Sequence, residues 1–202
     1  MTHLPRQRLA IGMRVKAAVP AAACGILFLI AACGDGTRTW AVYQPHRGVP
    51  EIFQYAAGGR DLRTVIYGNP TTASKEAFHE AVVAAMQGSN WGPTTRFTTR
   101  PSESARAGYR VVRVFSGDRS LGAEAACQEL DPAALSPVAE RVELQAVFYF
   151  NKRVLLQAHV TSPAFTTTGD RRLNAAVTEA VLSLFPVRGP ERRPQGKRMF
   201  EP

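Results

Sequence analysis

Catalysis requires titratable or nucleophilic side chains that converge at one place, and this sequence offers few such groups. Three of the four histidines lie beyond the N-terminal segment, namely His46, His79 and His159. None stands in a His-x-His or His-Glu-x-x-His pattern, and the sequence contains no Gly-x-Ser-x-Gly motif. We therefore predict no catalytic residue, no metal ligand and no cofactor. We expect His79 on a helix surface and His159 on the polar face of a strand.

Cysteine and glycine positions give no further catalytic signal. Cys127 follows Ala125 and Ala126, a setting typical of a small buried apolar residue, with a redox role as the alternative. Gly58 and Gly59 precede a predicted strand rather than a helix. They indicate a turn and not a phosphate-binding loop.

Aromatic and cationic residues concentrate between positions 89 and 107, where the sequence has no hydrophobic periodicity and predicts a long loop. Long loops in compact domains are uncommon and often functional, and Trp and Arg dominate binding hot spots. We therefore predict a partner-binding site here. Its candidate residues are Trp91, Arg96, Phe97, Arg100 and Arg106. The alternative is a packed loop in which Trp91 and Phe97 cover the edge of a sheet.

The N-terminal segment has the composition of a secretory signal. Residues 1–16 hold four cations and no acid, and residues 17–32 are uncharged. This apolar stretch of 16 residues is shorter than the ~20 that a membrane-spanning helix needs. We predict that residues 1–32 are a signal peptide, and Met13 offers an alternative start for the same signal.

The end of that segment, Ile30-Ala31-Ala32-Cys33, resembles the lipobox of bacterial lipoproteins. The resemblance implies that Cys33 carries a lipid and becomes the mature N-terminus, anchored to a membrane on its periplasmic side. Gly34 favours the outer membrane by resemblance to known sorting patterns, and Asp35 weakens that assignment. The alternative is an ordinary secretory signal in which Cys33 has no role.

Charge is concentrated at the two ends of the chain. Of the formal net charge of +9, the signal segment contributes four cations and the tail from Pro186 a net +3. Residues 33–185 therefore carry only +2, which removes the main support for a nucleic-acid partner. We predict that residues 187–202 form a basic, disordered tail and that residues 33–59 form a partly packed tether.

Hydrophobic periodicity predicts the elements of a domain over residues 60–186. Strands are expected at 62–67, 109–115, 141–150 and 154–161, and helices at 73–87, 121–128 and from Asp170 to Phe185. The helix at 73–87 has one apolar face, which consists of Phe78, Ala81, Val82, Ala85 and Met86. The last helix has Asp170 as N-cap and a longer apolar stripe, which consists of Leu173, Ala176, Val177, Ala180, Val181 and Leu184.

The two last strands are expected to form a hairpin. Their apolar stripes share one face only if Phe148 pairs with Leu156 and Leu144 pairs with Val160. This register predicts a three-residue loop over residues 151–153, with Asn151 or a neighbour in the left-handed region.

The main element order is β-α-β-β-β-α. Two helices with one apolar stripe each fit one side of a single sheet, so we predict an α+β two-layer sandwich. Its sheet would have four strands, mostly antiparallel, with two helices on one face. The first β-α-β unit should be a right-handed crossover, with its strands parallel or separated by one.

Several short words resemble a family of uncharacterised bacterial lipoproteins. They are Arg60-Asp61-Leu62, Gly68-Asn69-Pro70, Met86-Gln87-Gly88, Gly92-Pro93-Thr94, Phe97-Thr98-Thr99 and Tyr109-Arg110-Val111-Val112. The resemblance covers residues 60–115 and the last helix, and it implies a lipoprotein domain without a known activity. Members of that family carry a second cysteine near the hairpin, but Phe148-Tyr149-Phe150 holds none, which leaves Cys127 unpaired. The element order is also similar to that of the lipoprotein partner of the lipopolysaccharide-assembly barrel, but no sequence motif is shared, so this is an analogy of element order only.

These observations favour a non-enzymatic, lipid-anchored binding or assembly module of the cell envelope. Its partners would be the membrane, through the lipid, and another envelope protein or lipid, with no nucleic acid. The alternatives are a carrier or sensor of a small or lipidic ligand, which needs a cavity, and an envelope-polymer hydrolase, which needs convergent titratable groups.

Overall fold

The computed structural model describes residues 36–42, 48–119, 122–126, 128, 130–131 and 135–185. Cys33, His46, Cys127 and the tail over 187–202 lie outside the described residues, so the predictions for them stay predictions. The described part is an α+β fold with one mixed sheet of six strands. The strands are β1 (Arg38–Val42), β2 (Arg60–Tyr67), β3 (Thr95–Thr98), β4 (Tyr109–Ser116), β5 (Arg141–Phe150) and β6 (Arg153–Pro163). The helices are α1 (Val49–Ala57), α2 (Lys75–Met86), α3 (Ala123–Ala126) and α4 (Arg171–Leu184).

The strands lie in the order β1-β6-β5-β4-β2-β3. Strand β2 is parallel to both β3 and β4, whereas β4, β5, β6 and β1 pair in antiparallel fashion. The direct parallel pairing of β2 with β4 is one of the two arrangements predicted for the strands of the first β-α-β unit. Because of it, the first residues of β2, β3 and β4 lie at the same end of the sheet.

The prediction of four strands was wrong, because two edge strands were missed. Strand β1 lies in the segment predicted as a tether and pairs with β6. Strand β3 lies in the segment predicted as a long loop and pairs with the first half of β2. Each has only four or five residues, and each is held by a partner distant in sequence, so neither has a local periodic pattern. The domain therefore begins before the predicted boundary at residue 60.

Three helices cover one face of the sheet. Helices α2 and α4 lie there as predicted, and α1 joins them through Phe53, Ala56 and Ala57. The six apolar residues predicted for the stripe of α4 are all buried, and Asp170 accepts a hydrogen bond from the Arg172 backbone N–H as its N-cap. The short helix α3 lies on the opposite face, where a smaller cluster forms around Val112, Val114, Val147 and Tyr149.

The β5–β6 hairpin has the predicted register but a shorter loop. Phe148 pairs with Leu156 and Leu144 with Val160, and Asn151 has a φ of 53°. Phe150 pairs directly with Arg153, however, so the turn contains two residues instead of three. The register shift beside Phe148 places one extra residue in β6, a bulge that restores the pairing of the two apolar stripes.

Arg113 is the unusual residue of the core. It lies on the helix-covered face of β4, in register with Ile66 of β2 and Ala146 of β5, and it is fully buried. None of its guanidinium nitrogens has a hydrogen-bond partner within the described part of the chain. Burial disfavours the charged form and lowers the pKa of Arg113 to about 9.

Candidate functional site

Exposed aromatic side chains gather at the end of the sheet where β2, β3 and β4 begin. Strand β5 ends there too, since Tyr109 at the start of β4 pairs with Phe150. We call this surface the aromatic end and define it by Tyr55, Trp91, Arg106, Tyr109 and Phe150. Tyr55 and Trp91 are each 54% exposed and Phe150 is 38% exposed, and these are the exposed large hydrophobic residues among those described. Tyr55, Tyr109 and Phe150 form a chain of ring contacts, whereas Trp91 lies at the same end of the sheet in a separate turn. Exposed apolar groups at one end of a domain typically mark an interaction site.

Arg106 and Tyr55 form the most ordered part of this surface. The Arg106 Nε donates to the Tyr55 carbonyl oxygen at 2.8 Å, and Nη1 donates to the Tyr55 hydroxyl at 2.9 Å. The guanidinium carbon lies 3.7 Å from the centre of the Tyr55 ring. These acceptors are neutral, so the pair presents an organised aromatic ring beside a positive charge that they do not neutralise.

The other aromatic rings continue from this pair. The Tyr109 ring is 6.2 Å from that of Tyr55 and 4.5 Å from that of Phe150. Below them, the Phe148 ring lies 6.1 Å from that of Tyr109 and belongs to the core. The exposed rings therefore rest on a packed aromatic layer, which limits the side-chain entropy that binding must remove.

Trp91 lies in the turn between α2 and β3, beside the start of β2. The Asn90 side chain donates to the Pro93 carbonyl oxygen at 2.8 Å, which closes the turn. The Gly59 N–H donates to the Thr94 carbonyl oxygen at 2.8 Å, which fixes the turn against β2. The tryptophan side chain thus projects from a short, hydrogen-bonded turn.

Asp61 organises the segment that leads from β3 to β4. Its buried carboxylate accepts two hydrogen bonds of 2.6 Å from Arg96, the residue opposite it on β3. It also accepts from the backbone N–H and the hydroxyl of Ser102, at 2.7 Å and 2.8 Å. The hydrogen bonds from Arg96 and from Ser102 lower the pKa of Asp61 to about 2. This network holds the loop against β2 and brings Arg106 to the aromatic end.

The structure divides the five predicted binding residues. Trp91, Arg100 and Arg106 lie on the surface of the segment, although Arg106 is half-buried and stacks on Tyr55. Phe97 is only 1% exposed and packs in the core, with its ring 6.4 Å from that of Phe185. The Arg96 side chain is exposed, but its charge is compensated by Asp61, so of these two residues only Phe97 is removed from the surface.

Sequence reasoning missed Tyr55 and Phe150. Tyr55 lies in α1, inside the predicted tether, where the sequence marks it only as one of several aromatic residues. The alternation along β5 predicts Phe150 on the core face, but it is the last residue of its strand and remains partly exposed. The sequence did contain one signal that Phe150 is exposed: it stands at the end of a strand, directly before an Asn-Lys turn.

The described histidines lie in separate places. Burial, and then the positive charge of Lys75, lower the pKa of His79 below its usual value. Burial, and then the positive charge of Arg119, lower the pKa of His159, which contacts Gln157 on the face predicted for it.

Within the described ranges, no group of three or more His, Cys, Asp or Glu side chains could hold a metal ion, and no helix is long and apolar enough to cross a membrane.

An open groove of about 1030 Å³ lies between β1 and α4. Its lining includes Thr39 and Thr168 together with the charged side chains of Asp170, Arg171 and Glu179. The groove is wide and open, unlike the enclosed pockets that hold most small ligands.

Comparisons with known proteins give a distant structural likeness. No protein-family model matches the chain, and the search of curated proteins gave no match. The chain is similar to PelC from Paraburkholderia phytofirmans, solved as a dodecamer, at 14% identity and a TM-score of 0.39. It is similar to a dodecamer of a point variant of that PelC at 12% identity and a TM-score of 0.40. Both matches cover 76% of this chain and 99% of the solved chain.

Proposed function

We propose that this protein is a lipid-anchored, non-enzymatic binding module on the periplasmic side of a bacterial envelope. The single observation that supports binding is the aromatic end, where Tyr55 and Phe150 are exposed near the stacked Arg106 and Trp91 is exposed in the turn that precedes β3. Aromatic and arginine side chains on a rigid base are the groups that dominate protein interfaces. Lipid anchoring is supported by the sequence that ends in Cys33.

The anchor is tested by comparing Cys33→Ala with Cys24→Ala in fractionated cells. Cys24 lies inside the apolar segment of the predicted signal, so Cys24→Ala is a control that removes one thiol without changing Cys33. We expect the Cys33 variant to leave the membrane fraction and lose incorporation of labelled palmitate, while the Cys24 variant keeps both. A Cys33 variant that stays with membranes as strongly as the parent would contradict the anchor.

The binding role is tested on membranes solubilised in a mild detergent and separated on a native gel. The parent should run in an assembly larger than one chain, and the Tyr55→Ala, Phe150→Ala double variant should run as a smaller species. Tyr55 bonds to Arg106 and Phe150 packs against Tyr109, so the thermal midpoint of the purified variant should fall somewhat, and circular dichroism must show that the variant is folded at the temperature of the gel. An assembly that is unchanged in the variant, or a parent that runs as a single chain, would contradict a binding role for this surface.

The groove between β1 and α4 supports a second candidate function, the binding of a small polar ligand. Its volume is ample for such a ligand, and its lining offers hydroxyl and charged groups. Asn174→Trp on α4 would fill part of this groove. If the Asn174→Trp variant loses the larger assembly on the native gel while the double variant at the aromatic end keeps it, the ligand-binding candidate replaces the first.

A further inference from the structure

The aromatic end and the anchored end of the chain lie at opposite ends of the sheet. Arg38 of β1 pairs with Thr161 near the end of β6, whereas β6 begins at the hairpin turn beside Phe150. Strand β6 has 11 residues, which corresponds to a length of about 33 Å at ~3.3 Å per residue. Cys33 precedes Gly36 by three residues, a separation of at most about 11 Å along the chain. A lipid on Cys33 therefore leaves the aromatic end directed away from the membrane that holds it.

The aromatic end also has a positive formal charge. The described segments at this end, 51–61, 88–110 and 150–153, contain three acids, Glu51, Asp61 and Glu103, of which Asp61 is paired with Arg96. Their seven cations are Arg60, Arg96, Arg100, Arg106, Arg110, Lys152 and Arg153, which gives these segments a formal net charge of +4. Residues 33–185 as a whole carry a net charge of only +2, so the positive charge is concentrated here rather than spread over the domain.

We infer that the aromatic end docks an acidic protein surface that approaches from the side facing away from the anchoring membrane, an inference that rests on the proposed anchor and binding role. The exposed rings of Tyr55, Trp91 and Phe150 would supply the apolar contact, and the surrounding cations would select acidic side chains. A leaflet that held a lipid on Cys33, although also anionic, would lie toward the opposite end of β6, which is about 33 Å from the aromatic end.

Photo-cross-linking in intact, anchored protein tests this inference. Benzoylphenylalanine replaces Phe150 at the aromatic end or, as the control, the exposed Ala139 at the opposite end. We expect a protein adduct from position 150 and at least a threefold lower yield from position 139. The cross-linked partner segment, sequenced by mass spectrometry, should contain more Asp and Glu than Lys and Arg. Raising the salt from 0.05 M to 0.5 M should lower the yield at least threefold, because the charges are exposed.

A pair of charge reversals adds a matched comparison. Arg100→Glu changes an exposed cation near the aromatic end, and Arg38→Glu changes an exposed cation at the anchored end. The first should lower the adduct yield at position 150 at least threefold, and the second should leave it unchanged. A phospholipid adduct, equal yields at the two positions, no adduct, or a yield insensitive to salt and to Arg100→Glu would each overturn the inference. The proposed function is judged separately, by the Cys33 fractionation and the native gel.

Discussion

Replacing Arg113 with methionine should make the protein more stable, because the natural side chain holds a positive charge inside the core. Burial lowers the pKa of Arg113 to about 9, well below its usual value, and this shift corresponds to about 5 kcal/mol. Methionine keeps much of the side-chain volume and needs no hydrogen-bond partner. Since some packing around the guanidinium is lost, we expect a net gain of about 2–4 kcal/mol in the free energy of unfolding.

Urea unfolding of the purified chain at pH 7 measures this gain. Arg63→Met is the control, since Arg63 is exposed on the neighbouring strand, and it should change stability by less than about 0.5 kcal/mol. Above about pH 9 the unfolded chain binds more protons at Arg113 than the folded chain does, so this group makes the stability of the parent rise with pH there. The difference between parent and variant should therefore be smaller at pH 10 than at pH 7. A destabilised Arg113→Met variant would refute the assignment of an uncompensated buried charge.

Further outcomes follow from the contacts around the loop. Phe97→Ala should lower the free energy of unfolding by about 3–5 kcal/mol, and Trp91→Ala should change it by less than about 1 kcal/mol, both measured by urea unfolding. Asp61→Asn should cost about 2 kcal/mol at pH 7, because charged hydrogen bonds to Arg96 and Ser102 are lost. The parent should lose this contribution as the pH falls from about 4 to 2, because Asp61 becomes protonated there. The variant has no such contribution to lose. Equal acid sensitivity of parent and variant would contradict the network. Removing residues 188–202 should shift the thermal midpoint by less than about 4 °C, and a larger drop would mean that the tail packs against the domain.

Local patterns predicted the elements with long apolar stripes. Six residues of α4 repeat with helical spacing, so burial of one face follows from the sequence alone. The hairpin register followed from the need to place the apolar stripes of β5 and β6 on one face. The bulge escaped prediction because a two-residue turn with one extra residue in the strand gives the same register as a three-residue loop.

The missed elements depend on contacts that are distant in the sequence. Strand β1 is defined by its pairing with β6, more than a hundred residues later, and β3 by its pairing with β2. Helix α1 has only nine residues, begins after Gly48 with Pro50 in its first turn, and ends at Gly58. In the sequence, the glycines and proline around it indicate a linker, and the burial of Phe53 that stabilises this helix is visible only in the fold.

The candidate surface was predictable by composition but not by residue. The Trp and Arg residues within positions 89–107 predicted a binding site there, and Trp91 and Arg106 do lie at the aromatic end. The segment that was expected to be loop throughout contains strand β3, so alternation along β3 buries Phe97 and turns Arg96 toward Asp61. Only the spatial meeting of α1 with the start of β4 shows that Tyr55 belongs to the same surface.

Hydroxyl-radical footprinting of the protein in native membranes tests the central claim most directly. The oxidation rates of Tyr55, Trp91 and Phe150 are compared between membranes and the purified chain, with the exposed Pro137 at the opposite end as the reference. If the aromatic end is a binding surface, these three residues should be protected at least threefold in membranes while the rate at Pro137 stays the same. Equal rates at Tyr55, Trp91 and Phe150 in the two samples would contradict the claim that this surface binds a partner.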